Sequence, residues 1–301
     1  PLISSPPTMD REVALKFTPE PATFEYTTRD AIIYALGIGC TTEQEYRYVY
    51  EGADGFMALP TYIVAPGLLA NNILSWPGLE IDLPRILHGE QYIEWYAPLP
   101  AEAELRSETR LVDLLDKGSG AAILSQVTTY DVRTNKKLAM QQFTTFQVGS
   151  GGFGGPRSSP HEKKGAAIPQ RPADVILSDK TSVDQATLYR MGSGDLNPLH
   201  VDPDFAKMGG FKQPILHGLC SFGFSAKHVM RAFAGGDARL FKSMKARFVS
   251  PVLPGQTLET HMWDEGDRVV FETKVKETGK TVIGNAYVVL NGKSGKGVAK
   301  L

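Results

Sequence analysis

Tyr34-Ala35-Leu36-Gly37-Ile38-Gly39-Cys40 returns in the second half of the chain as Tyr189-Arg190-Met191-Gly192-Ser193-Gly194-Asp195. Both stretches read Tyr-x-x-Gly-x-Gly. Farther along, Pro98-Leu99-Pro100 with Leu105 is matched by Pro251-Val252-Leu253-Pro254 with Leu258, and each is followed by alternating apolar and polar residues. Matches kept in the same order at long spacing point to a duplicated unit. Between the copies runs Gly149-Ser150-Gly151-Gly152-Phe153-Gly154-Gly155-Pro156, then Arg157-Ser158-Ser159-Pro160, a composition that holds no regular structure. The expected organisation is an N-terminal repeat over 1–148, a linker over 149–165 and a C-terminal repeat over 166–301.

Within each copy the pattern is α+β. Val269, Phe271, Thr273 and Val275 alternate with Glu272, Lys274 and Lys276, which predicts a strand. Thr278-Gly279-Lys280 predicts a turn into a second strand over 282–290. In the first copy, 121–132 and 138–148 flank Arg133-Thr134-Asn135-Lys136 as another hairpin. Phe222, Ala226, Val229 and Phe233 recur near helical spacing and predict one long helix over about 218–234. Each half thus reads as a curved antiparallel sheet packed on one main helix.

Bulk composition narrows the functions. The 301 residues suffice for two domains of ~150 each. A formal net charge of -1 lacks the basic excess of a nucleic-acid binder. No apolar run reaches the ~18 residues of a membrane span, and no signal peptide opens the chain. The first residue is Pro1, so the natural start is expected to lie upstream. Cys40 and Cys220 are too few for a disulfide framework, and free buried thiols are expected. The ending Ala299-Lys300-Leu301 follows a Gly/Ser/Lys-rich stretch and has the small-basic-Leu form of a peroxisomal address; the plainer reading is a frayed tail.

The densest chemistry is Gly194-Asp195-Leu196-Asn197-Pro198-Leu199-His200. Gly194 permits backbone geometry other residues resist. Asn197-Pro198 suits a helix start, Asn capping and Pro in first position. That turn folds His200 back toward Asp195, so a carboxyl and an imidazole reach one small molecule. One His and one carboxylate are too few for a metal site, and none is expected. Leu216-His217-Gly218-Leu219 supplies the second piece. Gly218 opens the long helix, whose free N–H groups and partial positive charge suit a carbonyl oxygen that gains charge. His217 reads either as a second acid/base group or as a buried structural histidine. The first copy has Cys40 where the second has Asp195, and no His from Thr41 to Tyr46, so the chemistry belongs to the second copy.

Tyr189-x-x-Gly192-Ser193-Gly194-Asp195-x-Asn197-Pro198-Leu199-His200, with Ala206 six residues on, resembles the signature of the (R)-specific enoyl-CoA hydratase 2 family, the MaoC-like dehydratases. Leu87-His88-Gly89-Glu90-Gln91-Tyr92, Asp116-Lys117-Gly118-Ser119-Gly120, His217-Gly218 and Lys245-Ala246-Arg247-Phe248 extend the similarity over nearly the whole chain. The resemblance implies a double hot-dog fold, a long helix wrapped by an antiparallel sheet and repeated twice. It implies hydration of a trans-2-enoyl-CoA to a (3R)-3-hydroxyacyl-CoA in fatty-acid β-oxidation, with no cofactor beyond the CoA of the substrate. Asp195 and His200 become the catalytic pair, Asn197 their orienting residue, and Gly218 N–H the thioester-oxygen donor. Substrate contacts are implied at His88, Gly89, Lys117, Asp195, Leu196, Asn197, Pro198, Leu199, His200, Gly218 and Phe248. Which of the pair is acid and which base stays open. A homodimer is expected by fold analogy, and multifunctional family members imply a dehydrogenase region upstream. Loss of catalytic elements from the first copy is expected to open a tunnel for acyl chains of ten carbons or more. The rival readings are a hot-dog acyl-CoA thioesterase, a non-catalytic acyl-CoA or lipid carrier, and a dehydratase acting on carrier-protein thioesters.

Overall fold

The computed structural model describes residues 8–292. The targeting-like tripeptide Ala299-Lys300-Leu301 lies outside them.

Ten strands form one antiparallel sheet: β1 (Ala22–Tyr26), β2 (Ile86–Trp95), β3 (Ala103–Asp116), β4 (Gly120–Asp131), β5 (Lys137–Val148), β6 (Val175–Lys180), β7 (Phe241–Phe248), β8 (Thr257–Asp264), β9 (Val269–Val275) and β10 (Thr281–Leu290). Their order across the sheet is β1-β3-β4-β5-β2-β7-β10-β9-β8-β6. It reads as the same five-strand pattern from either edge, with β1 answering β6, β3 β8, β4 β9, β5 β10 and β2 β7. The seam is the antiparallel pair β2–β7, where Glu90 faces Arg247 and Tyr92 faces Lys245. This is the double hot-dog, and both hairpins read from alternation fall where expected.

Among the described residues seven α-helices accompany the sheet: α1 (Arg11–Lys16), α2 (Thr28–Gly37), α3 (Tyr46–Val49), α4 (Val64–Ala70), α5 (Gln185–Ser193), α6 (Pro203–Met208) and α7 (Gly218–Phe233). None of the described helices is long and apolar enough to cross a membrane. The sheet wraps α7, whose residues from Leu219 to Met230 are all buried. A helix buried all round must satisfy its polar groups locally. Ser225 Oγ donates back to the Ser221 carbonyl, and His228 Nδ1 meets Thr260 Oγ1 at 2.8 Å. Lys227, fully enclosed, pairs with Asp179 at 2.8 Å and donates to the Gly39 carbonyl at 2.5 Å.

Among the described residues the first repeat has no equal of α7. In its place stand a 3-10 turn, Pro60–Ile63, and the seven-residue α4. Gln141 reaches up to donate to the Ile63 carbonyl at 2.7 Å, and a β-carbon on Gly67 would stand 2.1 Å from its amide nitrogen.

Where α2 meets α5, the two Tyr-x-x-Gly motifs face each other. A β-carbon on Gly37 would lie 3.0 Å from Tyr189 Cα, and one on Gly192 would lie 2.5 Å from Tyr34 Cα. Each glycine makes room for the other motif's tyrosine, as two-fold pairing requires. Gln185 Nε2 and Cys220 Sγ both donate to the Gly37 carbonyl and tie the repeats together. Cys220 and Cys40 are free, buried thiols.

Residues 149–165 carry no helix or strand. They are nonetheless pinned, since the Asp116 carboxylate accepts from the backbone N–H of Gly152 and Gly154, both at 2.9 Å.

Candidate active site

Helix α5 ends at Gly194, whose φ of 71° and ψ of 9° are left-handed. Glycine adopts this conformation without strain, and the chain then turns sharply out of the helix. Asp195 follows. One of its oxygens accepts the Asn197 N–H at 3.1 Å. The Asn197 side chain in turn accepts the Leu199 N–H at 3.1 Å, capping the single 3-10 turn Pro198–His200. Asn197 therefore shapes the loop that presents both catalytic candidates.

His200 is held from behind. Its Nδ1–H donates to the Ile215 carbonyl at 2.8 Å. A carbonyl only accepts, so the proton sits on Nδ1 and the Nε2 lone pair is bare. Burial pushes the ring's pKa down from its ordinary value and outweighs the upward pull of Ile215 and Asp195. The ring is neutral at pH 7, which is the form a general base needs.

A third group joins them from α7's cap. His217 is only 1% exposed and stacks on His200 with ring centroids 3.6 Å apart. Its other face lies against Tyr189, 4.9 Å away. Neither ring nitrogen has a hydrogen-bond partner. Burial, then the neighbouring His200, push its pKa down to about 2; the Asp195 backbone pulls the other way without closing a hydrogen bond. One carboxylate oxygen of Asp195 and one ring nitrogen each of His200 and His217 lie within 4.8 Å of one another.

This third donor corrects the count made from sequence, which found one His and one carboxylate. Three donors at such spacing resemble a metal triad. The two rings are stacked, with centroids 3.6 Å apart and planes 27° apart, and with Nδ1–H committed to Ile215, His200 has one nitrogen left for any shared ligand.

Gly218, the next residue, is the first of α7, where backbone N–H groups have no intrahelical acceptor. A β-carbon there would stand 3.1 Å from the Phe248 ring. Phe248 meets His88 edge to face, with ring centroids 4.9 Å apart. The structure therefore groups Asp195, Asn197, Pro198, Leu199, His200, Gly218, Phe248 and His88. His88 is placed by a directional chain of side chains. Gln141 Nε2–H donates to Ile63, Gln91 Nε2–H donates to Gln141, and the Gln91 carbonyl oxygen faces His88 Nε2 at 3.0 Å. Burial pushes the His88 pKa down to about 4. Gly89 follows His88 on β2, at the break in the β2–β5 register. A cavity of about 270 Å³ opens beside His200, lined also by Val183, Thr187, Gln213 and Pro254. Leu196 is largely exposed on the loop.

Lys117 is not brought to this group. It lies in the β3–β4 turn, where its ammonium donates to the Arg157 carbonyl at 2.7 Å and pairs with Glu162 at 3.1 Å. Sequence reasoning missed Arg190, whose charge lowers the pKa of both His200 and His217, and the stacking of those two rings. Neither leaves a local signal, because 17 positions separate the histidines in the chain.

In the first repeat the corresponding loop carries other chemistry. Cys40 stands at the Asp195 position, and Glu45, five residues on, at the His200 position. Glu45 accepts the Thr41 N–H at 3.1 Å, and the Gly39 carbonyl takes Lys227.

Residues 24–149 match the family model described as MFE-2 hydratase 2 N-terminal domain, and residues 164–286 match the MaoC like domain. The chain is 51% identical over 90% of its length to a Mus musculus protein named peroxisomal multifunctional enzyme type 2, of which it covers 37%. It is 41% identical over 90% of its length to an Arabidopsis thaliana protein named enoyl-CoA hydratase 2, peroxisomal, of which it covers 92%. Among solved structures, a MaoC-like dehydratase from Phytophthora capsici is 35% identical, with a TM-score of 0.83, covering 93% of this chain and 98% of that one. The chain thus spans about a third of the longer relative and nearly all of the shorter.

Proposed function

This chain belongs to the enoyl-CoA hydratase 2 family of MaoC-like dehydratases, and on that premise we propose that it adds water reversibly across the double bond of a trans-2-enoyl-CoA to give a (3R)-3-hydroxyacyl-CoA, a step of fatty-acid β-oxidation. The observation that carries this reading is the committed tautomer of His200. With Nδ1–H held by Ile215, its bare Nε2 is free to take a proton from water beside the Asp195 carboxylate.

The thioester draws electrons from the double bond, so Cβ accepts the water oxygen while charge builds on the thioester oxygen. Gly218 N–H, at the positive end of α7, stabilises that oxygen; one such donor contributes ~3 kcal/mol. His200 takes one water proton, and the Asp195/His200 pair returns one proton to Cα on the same face. The pair ends each turnover with the protons it began with. Each acid/base contribution is worth roughly 10²–10⁴-fold.

CoA enters as part of the substrate. His88, Gly89 and Phe248 flank the thioester, while Lys117 would meet only a distant part of CoA. The acyl chain extends toward the first repeat, where a seven-residue helix replaces a sixteen-residue one. This favours chains of ten carbons or more. Peroxisomal residence through Ala299-Lys300-Leu301, assembly as a homodimer and placement beside a dehydrogenase region belong to the same proposal. The relatives' names support the compartment and the longer architecture.

The deciding measurement is the loss of ultraviolet absorbance of the conjugated thioester when purified protein meets trans-2-decenoyl-CoA, followed by chiral analysis of the product. Release of free CoA without hydration, or an (S) product, would refute the assignment.

A further inference from the structure

His217 is buried, unpaired and set against the catalytic pair, and the mechanism above gives it no task. Three atoms no more than 4.8 Å apart leave a point no farther than about 2.8 Å from each, within hydrogen-bond reach of one water. A buried water typically makes about three hydrogen bonds to otherwise unsatisfied groups. Asp195 and the bare His200 Nε2 are both acceptors, so a water between them uses both of its hydrogens. Its third partner has to be a donor. A neutral imidazole always carries one N–H, and the Asp195 backbone draws on that of His217 without closing a hydrogen bond, so it stays unsatisfied.

We propose that His217 is the positioning residue for the reacting water, donating one hydrogen bond to its oxygen while Asp195 and His200 accept its two hydrogens. This inference rests on the hydratase reading. A water so held has four tetrahedral directions, three of them taken. The remaining lone pair is the only one free to attack, and it points away from the three side chains toward the substrate. Stacking fixes the height of the His217 ring relative to His200, and Tyr189 closes the other side. The water is therefore aimed as well as deprotonated, which favours one face of Cβ. His217 needs no charge for this. As a cation it would repel the developing charge on His200.

The experiment compares His217→Phe with His217→Asn on trans-2-decenoyl-CoA, measuring kcat and KM separately and checking each variant's melting curve. His217→Phe keeps the ring packing and loses the donor; its kcat is expected to fall about tenfold, the worth of one hydrogen bond, with KM within about twofold. His217→Asn restores an N–H and is expected to recover most of that loss. If the Phe variant does not melt like the parent, His217→Gln and His217→Leu repeat the comparison, and Gln must outpace Leu. Full kcat in His217→Phe, or a donor-bearing variant no faster than its apolar counterpart, overturns the inference and leaves the hydratase reading standing. An unaltered protein that does not hydrate the thioester overturns both.

Discussion

A β-carbon on Gly192 would stand 2.5 Å from the Cα of Tyr34, a contact between the two repeats that no side chain could occupy. Gly37 has the reciprocal relation to Tyr189, at 3.0 Å. The obstacle at Gly192 is backbone, which cannot rotate away. Gly192→Ala is therefore expected to destabilise the protein by about 1–3 kcal/mol, through overpacking. Gly37→Ala is expected to cost less. Melting temperatures of the two variants check the order; equal values would show that the interface yields.

The acid/base pair makes a sharper prediction. Asp195→Ala and His200→Ala are each expected to lower kcat by roughly 10²–10⁴-fold. Asp195 is half-buried on its loop, so Asp195→Ala should melt near the parent, while the buried, stacked His200 makes His200→Ala melt lower. Near-normal turnover by either variant would refute the assignment.

Gly194 and Gly218 differ in why they are glycine. At Gly194 nothing lies within 4 Å of an added β-carbon, and only the φ of 71° resists it. Gly194→Ala is expected to cost about 1 kcal/mol and to misplace Asp195. At Gly218 the obstacle is the Phe248 ring at 3.1 Å, beside the N–H proposed to hold the thioester oxygen. Gly218→Ala is expected to leave stability almost unchanged and to lower kcat/KM. Titration of activity against melting temperature separates the two cases.

The buried histidines set the response to acid. Burial lowers the pKa of His88, His200, His217 and His228 in the folded protein. Each binds fewer protons folded than unfolded, so its contribution to stability is complete above the unfolded value of about 6.5. As pH falls through that value, each is expected to withdraw up to about 1.4 kcal/mol per pH unit until its folded pKa is reached. His217 and His88, at about 2 and about 4, keep withdrawing longest. Denaturant midpoints at pH 7.5, 6.5 and 5.5 are expected to fall slightly across the first interval and about three times as far across the second. The acid limb of kcat, set by His200, belongs below 6.5.

Much of this was legible in the order of residues. Alternation at Val269 to Val275 and the Thr278-Gly279-Lys280 turn announce β9 and β10, because a half-buried strand must alternate. The Asp195–His200 stretch announces itself because a left-handed glycine, a cap and a proline leave so few folds open to it. Other features were silent. Nothing local marks β2 as the seam, since a strand's neighbour is a tertiary choice. The shortening of the first repeat's helix to α4 was equally hidden, as was the pinning of 149–165 by Asp116. The Ile215 carbonyl that fixes the His200 tautomer could belong to any residue. His217 was visible only as an undecided histidine until folding laid it on His200.

The joined sheet carries an evolutionary consequence. Two identical subunits meeting along an equivalent of the β2–β7 pair would have to mutate in step, because one gene writes both. Once fused in tandem, each half drifts on its own. A carboxylate can become Cys40 and a histidine Glu45 while the sister loop stays intact. Asymmetry of this kind is open to a covalent pseudo-dimer and closed to a true one.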